Sequence, residues 1–350
     1  MKYFTNSKSS FYIEPKEFNK YSDKDILKYA VGANLYMPAL QQNLFQKITT
    51  NSYDAGSITI CVEDSIEESQ INNAFNNIIS LLDALYEFIK SNNDKSILPL
   101  IFIRVRNIHN FNELSKSLKK EHLSVICGFV FPKFNSDTGN RYFNILKFLS
   151  NQYNERLYGM PIIEDEKVMR KESRYYELDK ICSILKVYNE YVLNIRIGGT
   201  DFSSIFGLRR SVSTTIYDVL VVADCMTDIL NYFLNQKYQY VISGPVWEFY
   251  SWNRNSKEMK GLIKELLLDI QNGFHGKTVI HPSQIDVVNK AYVIKFEEWQ
   301  DANNILNAKG GVFSGYNGNR MNEVNPHRSW AKKILAKAEI YGVANLNTKF

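Results

Sequence analysis

Two carboxylates at the ends of consecutive apolar segments are the strongest candidates for chemistry in this 350-residue sequence. Glu164 ends GMPIIE, and Asp201 follows IRIGGT. If these segments form neighbouring parallel strands, about 4.8 Å apart, the carboxylates repel each other unless a proton or a cation lies between them. Oxygen ligands with room for water are typical of magnesium. The pattern therefore predicts Mg²⁺ bound by Glu164 and Asp201. The alternative is that both only form structural ion pairs with Arg104 or Arg106.

Two arginines supply the opposite charge. In IFIRVRN, the two-residue period of a strand places Arg104 and Arg106 on the same face. An exposed edge strand with two solvated arginines is the alternative, but the preceding residues Leu100, Ile101 and Phe102 are too apolar for an edge. Buried arginines require carboxylate or phosphate partners. The pair therefore predicts an inward-facing site for an anionic substrate.

A glycine-rich turn precedes Asp201. Gly198 and Gly199 in GGTDFSSIFG allow the backbone to approach a ligand closely, although such glycines often only form turns. Thr200 stands where a helix begins and offers amide and hydroxyl donors to an anionic group. Gly199 and Thr200 are therefore candidate substrate-binding residues.

Eight short apolar or β-branched segments must position these residues. They are NLYMP, SITICVED, PLIFIRVRN, CGFVFPKF, GMPIIED, LNIRIGGTD, QYVISGP and KTVIHP, and stretches with helical spacing separate them. Their interval of roughly 25 to 45 residues is that of a β/α unit. Near-continuous apolar runs are typical of parallel strands covered on both faces. The sequence therefore predicts an α/β protein with a (β/α)8 TIM barrel of about 250 residues; a doubly wound open sheet is the alternative.

The placement of polar and conformationally special residues favours the barrel. Nearly every segment ends, on its carboxyl side, in one or two of them: Pro38, Glu63 and Asp64, Arg104 and Arg106, Pro132 and Lys133, Glu164, Asp201, Gly244 and Pro245, and His281. A TIM-barrel active site is assembled from the carboxyl ends of the strands. We interpret His281 as structural, because a lone histidine is more often a satisfied core residue than a catalyst. Residues 1–290 are predicted to form the barrel with an N-terminal extension, and residues 291–350 a helical C-terminal lid or arm.

Composition argues against several other classes of protein. The net charge of +5 is mild, and no basic block indicates nucleic-acid binding. No uncharged apolar run is long enough to cross a bilayer, and the N terminus has no continuous apolar signal segment. The four cysteines and five histidines show no spacing for a disulfide framework or a zinc site. We expect a soluble, cytoplasmic protein with reduced cysteines and a small anionic ligand.

The order of the motifs also carries a resemblance to a known superfamily. The series VED, RVRN, FPK, PIIED, GGTDFSSIFGLRR and FHGKTVIHPSQIDVVN resembles that of the citrate lyase beta subunit (HpcH/HpaI aldolase) superfamily, which includes malyl-CoA lyases. The similarity extends from Asn34 to the tail. Within the superfamily, the sequence most resembles the TIM-barrel carbon–carbon bond lyase proteins encoded in tellurium-resistance and stress-response operons.

The resemblance implies roles for individual residues. Glu164 and Asp201 match the magnesium ligands of the superfamily. Arg104 matches the arginine that holds the carboxylate or carbonyl oxygen of the substrate. Glu63 and Asp64 match an acidic pair near the water shell of the metal and are candidate catalytic residues.

Other positions match or depart from the superfamily pattern. Lys133 matches the lysine after the fourth strand and is a candidate substrate-binding residue. Arg106 replaces an asparagine, so the pocket should prefer a more anionic ligand, and His275 replaces an aspartate. In the tail, Glu323 of MNE takes the position of an aspartate that acts in acid–base chemistry in thioester-cleaving relatives, often from a neighbouring subunit. These departures weigh against a coenzyme A thioester as substrate.

The residues and the resemblance together predict a Mg²⁺-dependent carbon–carbon bond lyase or aldolase. The substrate would be a small anionic carbonyl compound, a 2-oxo or 2-hydroxy acid that is free, phosphorylated or CoA-linked, cleaved through a metal-stabilised enolate. The base is either a metal-linked water or Glu323. The alternatives are a non-catalytic ligand-binding component of a stress-response complex and phosphotransfer on an enol phosphate. A homo-oligomer, a trimer or a larger assembly, is expected.

Overall fold

A barrel of eight parallel strands forms the centre of the computed structural model, which describes residues 1–5, 8–51, 53–94, 97–234, 239–346 and 348. The strands of these residues are β1 (Phe11–Ile13), β2 (Ala33–Pro38), β3 (Ser57–Cys61), β4 (Leu100–Arg104), β5 (Gly128–Phe131), β6 (Tyr158–Ile163), β7 (Ile195–Ile197), β8 (Ile242–Ser243), β9 (Lys277–Val279), β10 (Val312–Ser314), β11 (Met321–Glu323) and β12 (Val343–Ala344). The barrel order is β8-β7-β6-β5-β4-β3-β2-β9. A bridge between Gly244 and Lys277 joins β8 to β9 and closes the sheet. The predicted TIM-barrel fold is confirmed, with the eight predicted segments forming β2 to β9.

Helices cover the outside of the barrel. In the described part of the chain the α-helices are α1 (Lys24–Ala30), α2 (Leu44–Thr50), α3 (Ile71–Asn92), α4 (Ile108–Ser117), α5 (Lys120–Val125), α6 (Gly139–Tyr153), α7 (Glu166–Met169), α8 (Lys171–Val187), α9 (Gly199–Ile205), α10 (Leu220–Phe233), α11 (Lys257–Gln271), α12 (Ile285–Lys290), α13 (Phe296–Asn307) and α14 (Val324–Tyr341). Apolar side chains recur three or four residues apart along α3, and this stripe is its buried face. Among these helices, none combines the length and apolar character that crossing a membrane requires.

The strands are buried on both faces, as covered parallel strands must be. Every residue of β3, β5 and β6 is buried. Successive residues point alternately to the helices and to the barrel interior. On the interior face, Asn34 of β2 donates a hydrogen bond to Ser57 at 2.8 Å and accepts one from Thr59 at 2.6 Å. The interior below the carboxyl-end rim therefore contains a paired polar layer as well as apolar side chains.

The C-terminal segment has its own small core and also closes the barrel. The helices α13 and α14 pack together around the buried residues Ile294, Ala302, Ile305, Ala331, Ile334, Ala338 and Val343, and the β10–β11 hairpin connects them. Strand β12 pairs antiparallel with β1. Tyr341, at the end of α14, is fully buried, and its hydroxyl donates to the Tyr29 carbonyl at 2.8 Å. Since Tyr29 precedes β2, the tail seals the N-terminal end of the barrel.

Candidate active site

The loops at the carboxyl ends of β3 to β7 bring six of the predicted site residues together. They are Glu63, Asp64, Arg104, Lys133, Glu164 and Asp201, which we call the charged rim. Hydrogen bonds, ion pairs or electrostatic interactions link each of them to at least one other member. The residues come from five different strands, so only the closed parallel sheet places them in one site.

Glu164 is held in a fixed position directly after β6. Its side chain is buried, and Oε1 accepts a hydrogen bond from the Lys133 backbone N–H at 2.8 Å. The Lys133 backbone has a φ of +48°, a left-handed conformation that few non-glycine residues adopt. On the opposite side, the Glu164 carboxylate lies against the Gly198 backbone, where an added Cβ would meet Oε2 at 2.1 Å. Gly198 is therefore needed to make room for this carboxylate.

The second carboxylate, Asp201, lies in the first turn of α9 and is half-buried. Burial raises the pKa of Glu164 to about 8, and the nearby Asp201 carboxylate adds to the effect. Burial, followed by repulsion from Asp64, also raises the pKa of Asp201. Burial is the main cause of both shifts, and the charge of a neighbouring carboxylate adds to it in each case.

Arg104 is the principal cation of the charged rim. Its Nη2 forms ion pairs with Glu63 and, at 2.7 Å, with Asp64. Its guanidinium carbon lies 5.5 Å from the centre of the Tyr36 ring, within the range of a cation–π contact. The Lys133 ammonium lies on the other side of Glu63, 3.8 Å from Oε1, and its side chain is exposed. Arg104 is thus preorganised by acidic neighbours, and Lys133 remains accessible to solvent.

Four other predicted residues occupy different environments. Strand β4 ends at Arg104, so its alternation does not extend to Arg106, whose Nη1 donates to the Ile66 carbonyl at 2.8 Å. Thr200 is exposed in the first turn of α9, and Gly199 is buried where a Cβ would meet Pro245 at 2.8 Å. Within the described residues, no hydrogen bond or ion pair joins Glu323 of β11 to the charged rim; its backbone N–H donates to His327 at 3.0 Å.

His281 has local partners that account for it without a ligand. Its Nδ1 lies 2.8 Å from the Ser283 hydroxyl, and its ring stacks on Tyr250 with centroids 4.2 Å apart. The Gln284 amide donates to the Trp247 carbonyl at 3.0 Å. These contacts fix the loop after β9 against the loop after β8, in agreement with the structural interpretation of this histidine.

Two residues of the barrel interior were not singled out by the sequence reasoning. Arg196 is the central residue of β7, is 1% exposed and donates from Nη2 to the Thr278 hydroxyl at 2.5 Å. Its guanidinium carbon lies 5.8 Å from the centre of the Tyr36 ring. The available signal was the arginine between two isoleucines in IRI, since a central barrel strand rarely tolerates a charge without a partner. Arg196 and Tyr36 extend the polar site inward from the charged rim.

The donor set of the charged rim fits magnesium better than a metal that is held entirely by protein. In the described part of the chain, no group of three or more histidine, cysteine or carboxylate side chains is arranged around a common point. Glu164 and Asp201 provide two oxygen donors, and Mg²⁺ characteristically takes one or two carboxylates and completes its shell with water and substrate oxygens. A cation here would also offset the negative charge of Asp201 that contributes to the raised pKa of Glu164, and the charge of Asp64 that contributes to the raised pKa of Asp201.

Large grooves also lie elsewhere on the molecule. A groove of about 730 Å³ lies among α11, α12, α13 and the C-terminal segment, and no charged-rim residue lines it. The concentration of perturbed carboxylates and of arginines marks the carboxyl end of the barrel as the chemically equipped site.

The comparison with protein families identifies the family of the chain. The sequence model of a family described as C-C bond lyase of the TIM-barrel fold matches residues 25–343. The chain belongs to this family. The match includes the whole barrel of this C-C bond lyase homologue and most of its tail, whereas a search of curated proteins found no match.

Solved structures with the same fold have low sequence identity to the chain. The protein CitE of Mycobacterium tuberculosis, in complex with magnesium, acetoacetate and coenzyme A, is 18% identical, with a TM-score of 0.56 over 89% of this chain and 99% of that one. A citrate lyase from Burkholderia xenovorans LB400 is 15% identical, with a TM-score of 0.64 over 90% and 93%. Malate synthase from Haloferax volcanii is 11% identical, with a TM-score of 0.53 over 72% of each chain. At these identities the similarity establishes the fold alone.

Proposed function

We propose that this protein is a Mg²⁺-dependent carbon–carbon lyase or aldolase that acts beside the carbonyl of a small anionic 2-oxo or 2-hydroxy acid. The observation that carries the proposal is the pair Glu164 and Asp201, two carboxylates with raised pKa values that face Arg104 at the carboxyl end of the barrel. The presence of magnesium and acetoacetate in the Mycobacterium structure supports the same chemistry.

The two carboxylates would hold the metal, and the arginine would act on the substrate. When bound, magnesium supplies Lewis-acid polarisation of a substrate carbonyl. The Arg104 guanidinium neutralises the negative charge that develops on the substrate oxygen as the bond breaks. Arg104 must exchange one present contact for the substrate, and exposed Asp64 is the weaker partner because water screens it. Buried Glu63 then keeps Arg104 aligned during the exchange.

Lys133 would contribute in two ways. Its backbone N–H orients Glu164, and its exposed ammonium can approach an anionic group of the substrate over the charged rim. For acid–base chemistry, Glu323 is the proposed residue. Because no hydrogen bond or ion pair ties Glu323 to the rim within the described residues, we propose that a second copy of the chain supplies it.

Metal binding and turnover test the proposal. The variants Glu164→Gln and Asp201→Asn each remove one negative charge from the proposed metal site, so we expect magnesium affinity to fall by about 100-fold or more. Glu166→Gln is the matched control, because Glu166 lies two residues further on, at the start of α7, but is exposed and pairs with Arg170. Isothermal titration calorimetry measures the affinities.

Product analysis after incubation with magnesium and a panel of 2-oxo acids, 2-hydroxy acids and their coenzyme A thioesters measures turnover. We expect cleavage or condensation by the parent and by Glu166→Gln, and none by the other two variants. Parent-like magnesium affinity in both Glu164→Gln and Asp201→Asn would refute the metal site.

A further inference from the structure

Arg196 is a buried cation whose hydrogen-bonding capacity is largely unused. It lies in the interior of the barrel, where β7 pairs with β6 and β8. Nη2 donates to the Thr278 hydroxyl at 2.5 Å and Tyr36 is a second polar neighbour, while Nε and Nη1 are buried without a partner in hydrogen-bond geometry among the described residues. A guanidinium presents five N–H donors in a planar fork that matches carboxylate or phosphate. This fork therefore has unused capacity to donate hydrogen bonds to an anion.

The charge of Arg196 is also uncompensated. Within the described ranges, no carboxylate forms an ion pair with it, and burial lowers the pKa of its guanidinium. The other buried arginines among the described residues, Arg174 and Arg210, have carboxylate partners. Arg210 contacts Glu265 and Glu248, and Arg174 pairs with Asp224 and Asp228, each at 2.7 Å. A buried charge without a partner is costly, so the exception at Arg196 requires an explanation other than fold stability.

The position of Arg196 connects it to the charged rim. Tyr36 on β2 lies across the barrel from β7, and its ring centre is 5.5 Å from the guanidinium carbon of Arg104 and 5.8 Å from that of Arg196. Two cations thus contact one aromatic ring, Arg104 from the rim and Arg196 from the layer below. Tyr36 is only partly buried, so solvent reaches this level of the barrel. The two guanidinium carbons are therefore at most about 11 Å apart, a separation that one extended diacid can bridge with a hydrogen bond at each end.

We propose that Arg196 binds a second anionic group of the substrate, at the end remote from the metal-binding carboxylates. This inference rests on the proposed function and specifies its substrate class: a short 2-oxo or 2-hydroxy acid that carries a further carboxylate or phosphate. The first acid group would meet Arg104 and a metal held by Glu164 and Asp201, and the second would lie in the fork of Arg196, with the hydroxyls of Thr278 and Tyr36 beside it. Arg196 is then a specificity-determining residue of this lyase.

Matched ligand pairs test the proposal. Lactate and malate differ by one carboxylate, and glycerate and 3-phosphoglycerate differ by one phosphate, so each pair isolates the second anionic group and separates its two possible forms. Affinities are measured by calorimetry with saturating magnesium for the parent, Arg196→Met and Arg210→Met. We expect the parent to prefer one of the doubly charged acids by about 10- to 100-fold, the range of a desolvated charge-assisted contact. Arg196→Met should remove that preference and leave affinity for the singly charged acid unchanged.

Stability provides the second measurement. Arg196→Met removes an unpaired buried charge, so the ligand-free variant should unfold at the same temperature as the parent or higher, whereas Arg210→Met leaves Glu265 without one of its partners and should unfold at a lower temperature. Equal weakening of both members of each pair in Arg196→Met, or an unchanged preference, would overturn the assignment and leave the metal chemistry intact.

A binding experiment without metal separates this inference from the proposed function. Succinate, which has two carboxylates and no 2-oxo or 2-hydroxy group, should raise the unfolding temperature of the parent more than acetate does, and Arg196→Met should abolish the difference. That result supports the anion site even if magnesium-dependent binding fails in the parent. The site itself would be rejected if succinate stabilised the parent no more than acetate and if the parent also showed no preference for malate or 3-phosphoglycerate.

Discussion

At the scale of single residues, Glu164 and Gly198 depend on each other. The Glu164 carboxylate is buried and is held by the Lys133 N–H on one side, and its Oε2 occupies the space that any side chain at position 198 would need. A glycine is required in this place by packing against a charged group and not by a positive φ, since Gly198 has a φ of −88°. The position of the Glu164 carboxylate therefore depends partly on the absence of a side chain at Gly198.

Gly198→Ala tests this dependence. The new methyl group would lie 2.1 Å from Oε2, so the Glu164 carboxylate must move. We expect magnesium affinity to fall at least tenfold, with a loss of stability of about 1–3 kcal/mol typical of overpacking. In a Glu164→Gln background the same glycine substitution should cause little further loss of magnesium affinity, because the displaced ligand is already absent. Calorimetry on the four proteins of this cycle measures the coupling, and strictly additive losses would contradict it.

The burial of His275 should make the free energy of unfolding depend on pH. Its Nε2 donates to the Tyr29 carbonyl at 3.1 Å, its ring contacts Tyr292, and its Nδ1 has no hydrogen-bond partner within the described residues. Burial, with the Lys337 charge as a smaller cause, lowers the pKa of His275 well below its ordinary value. The folded state therefore keeps this histidine neutral where the unfolded chain would bind a proton.

The sign of the effect follows from that difference in proton uptake. As pH falls below about 6.5, the unfolded state gains a proton that the folded state does not, so the free energy of unfolding should decrease by up to about 1.4 kcal/mol per pH unit. Urea unfolding of the parent and of His275→Gln between pH 7.5 and 5.5 measures it. We expect a smaller slope with pH in the variant. Equal slopes would show that His275 does not contribute.

At the scale of elements, a buried ionic cluster joins the last barrel strand to its helix. Lys277 of β9 forms ion pairs with Glu265 at 3.0 Å and with Asp269 at 2.6 Å, both on α11, and all three side chains are fully buried. The hydroxyl of Tyr217 donates to Asp269 at 2.7 Å. Because β9 also closes the sheet against β2, this cluster positions the strand on which closure depends.

Lys277→Met should therefore destabilise the whole barrel. It leaves two buried carboxylates without their shared cation, and removing one partner of a buried ion pair typically costs about 3–5 kcal/mol. Adding Asp269→Asn should recover part of the loss, because it removes one uncompensated charge. Lys264→Met on the exposed face of α11 is the control and should change stability by no more than about 0.5 kcal/mol. Urea unfolding midpoints test this prediction. A parent-like midpoint for Lys277→Met would show that the cluster is not required for the stability of the barrel.

The elements also show what the sequence could and could not predict. Eight β/α units and a cluster of charged residues at their carboxyl ends followed from apolar segments that stop at polar residues, because the strands of a parallel barrel all end on the same side. The period-two argument placed Arg106 beside Arg104, but β4 ends at Arg104 and the chain turns, so the period no longer applies. Arg196 and Tyr36 escaped notice because they lie inside strands and meet across the barrel, a contact that depends on closure and not on local pattern.

At the scale of the whole molecule, the two ends of helix α14 have different surroundings. Tyr341, at its end, packs into the barrel core, whereas Glu323 lies just before its start. Tyr341 is part of the main core, so the tail cannot be removed without opening it. Helix α14 has 18 residues, which places its start about 27 Å from Tyr341. The hairpin before it is tied to α13 through Asp301, which accepts from the Tyr316 N–H at 2.7 Å and pairs with Arg320. The result is a supported arm that carries Glu323.

If this arm acts on a second copy of the chain, two inactive variants should restore each other. Glu164→Gln lacks a metal ligand but retains Glu323, and Glu323→Gln has the reverse arrangement. In oligomers assembled from an equal mixture, sites built from two chains would regain about a quarter of parent activity, since half of the barrels and half of the arms are intact and symmetric association pairs them at random. Sites completed within one chain would regain none. Turnover of co-expressed variants, with sedimentation to confirm that mixed oligomers form, measures the difference, and mixed oligomers without activity would assign Glu323 either to its own barrel or to no catalytic role.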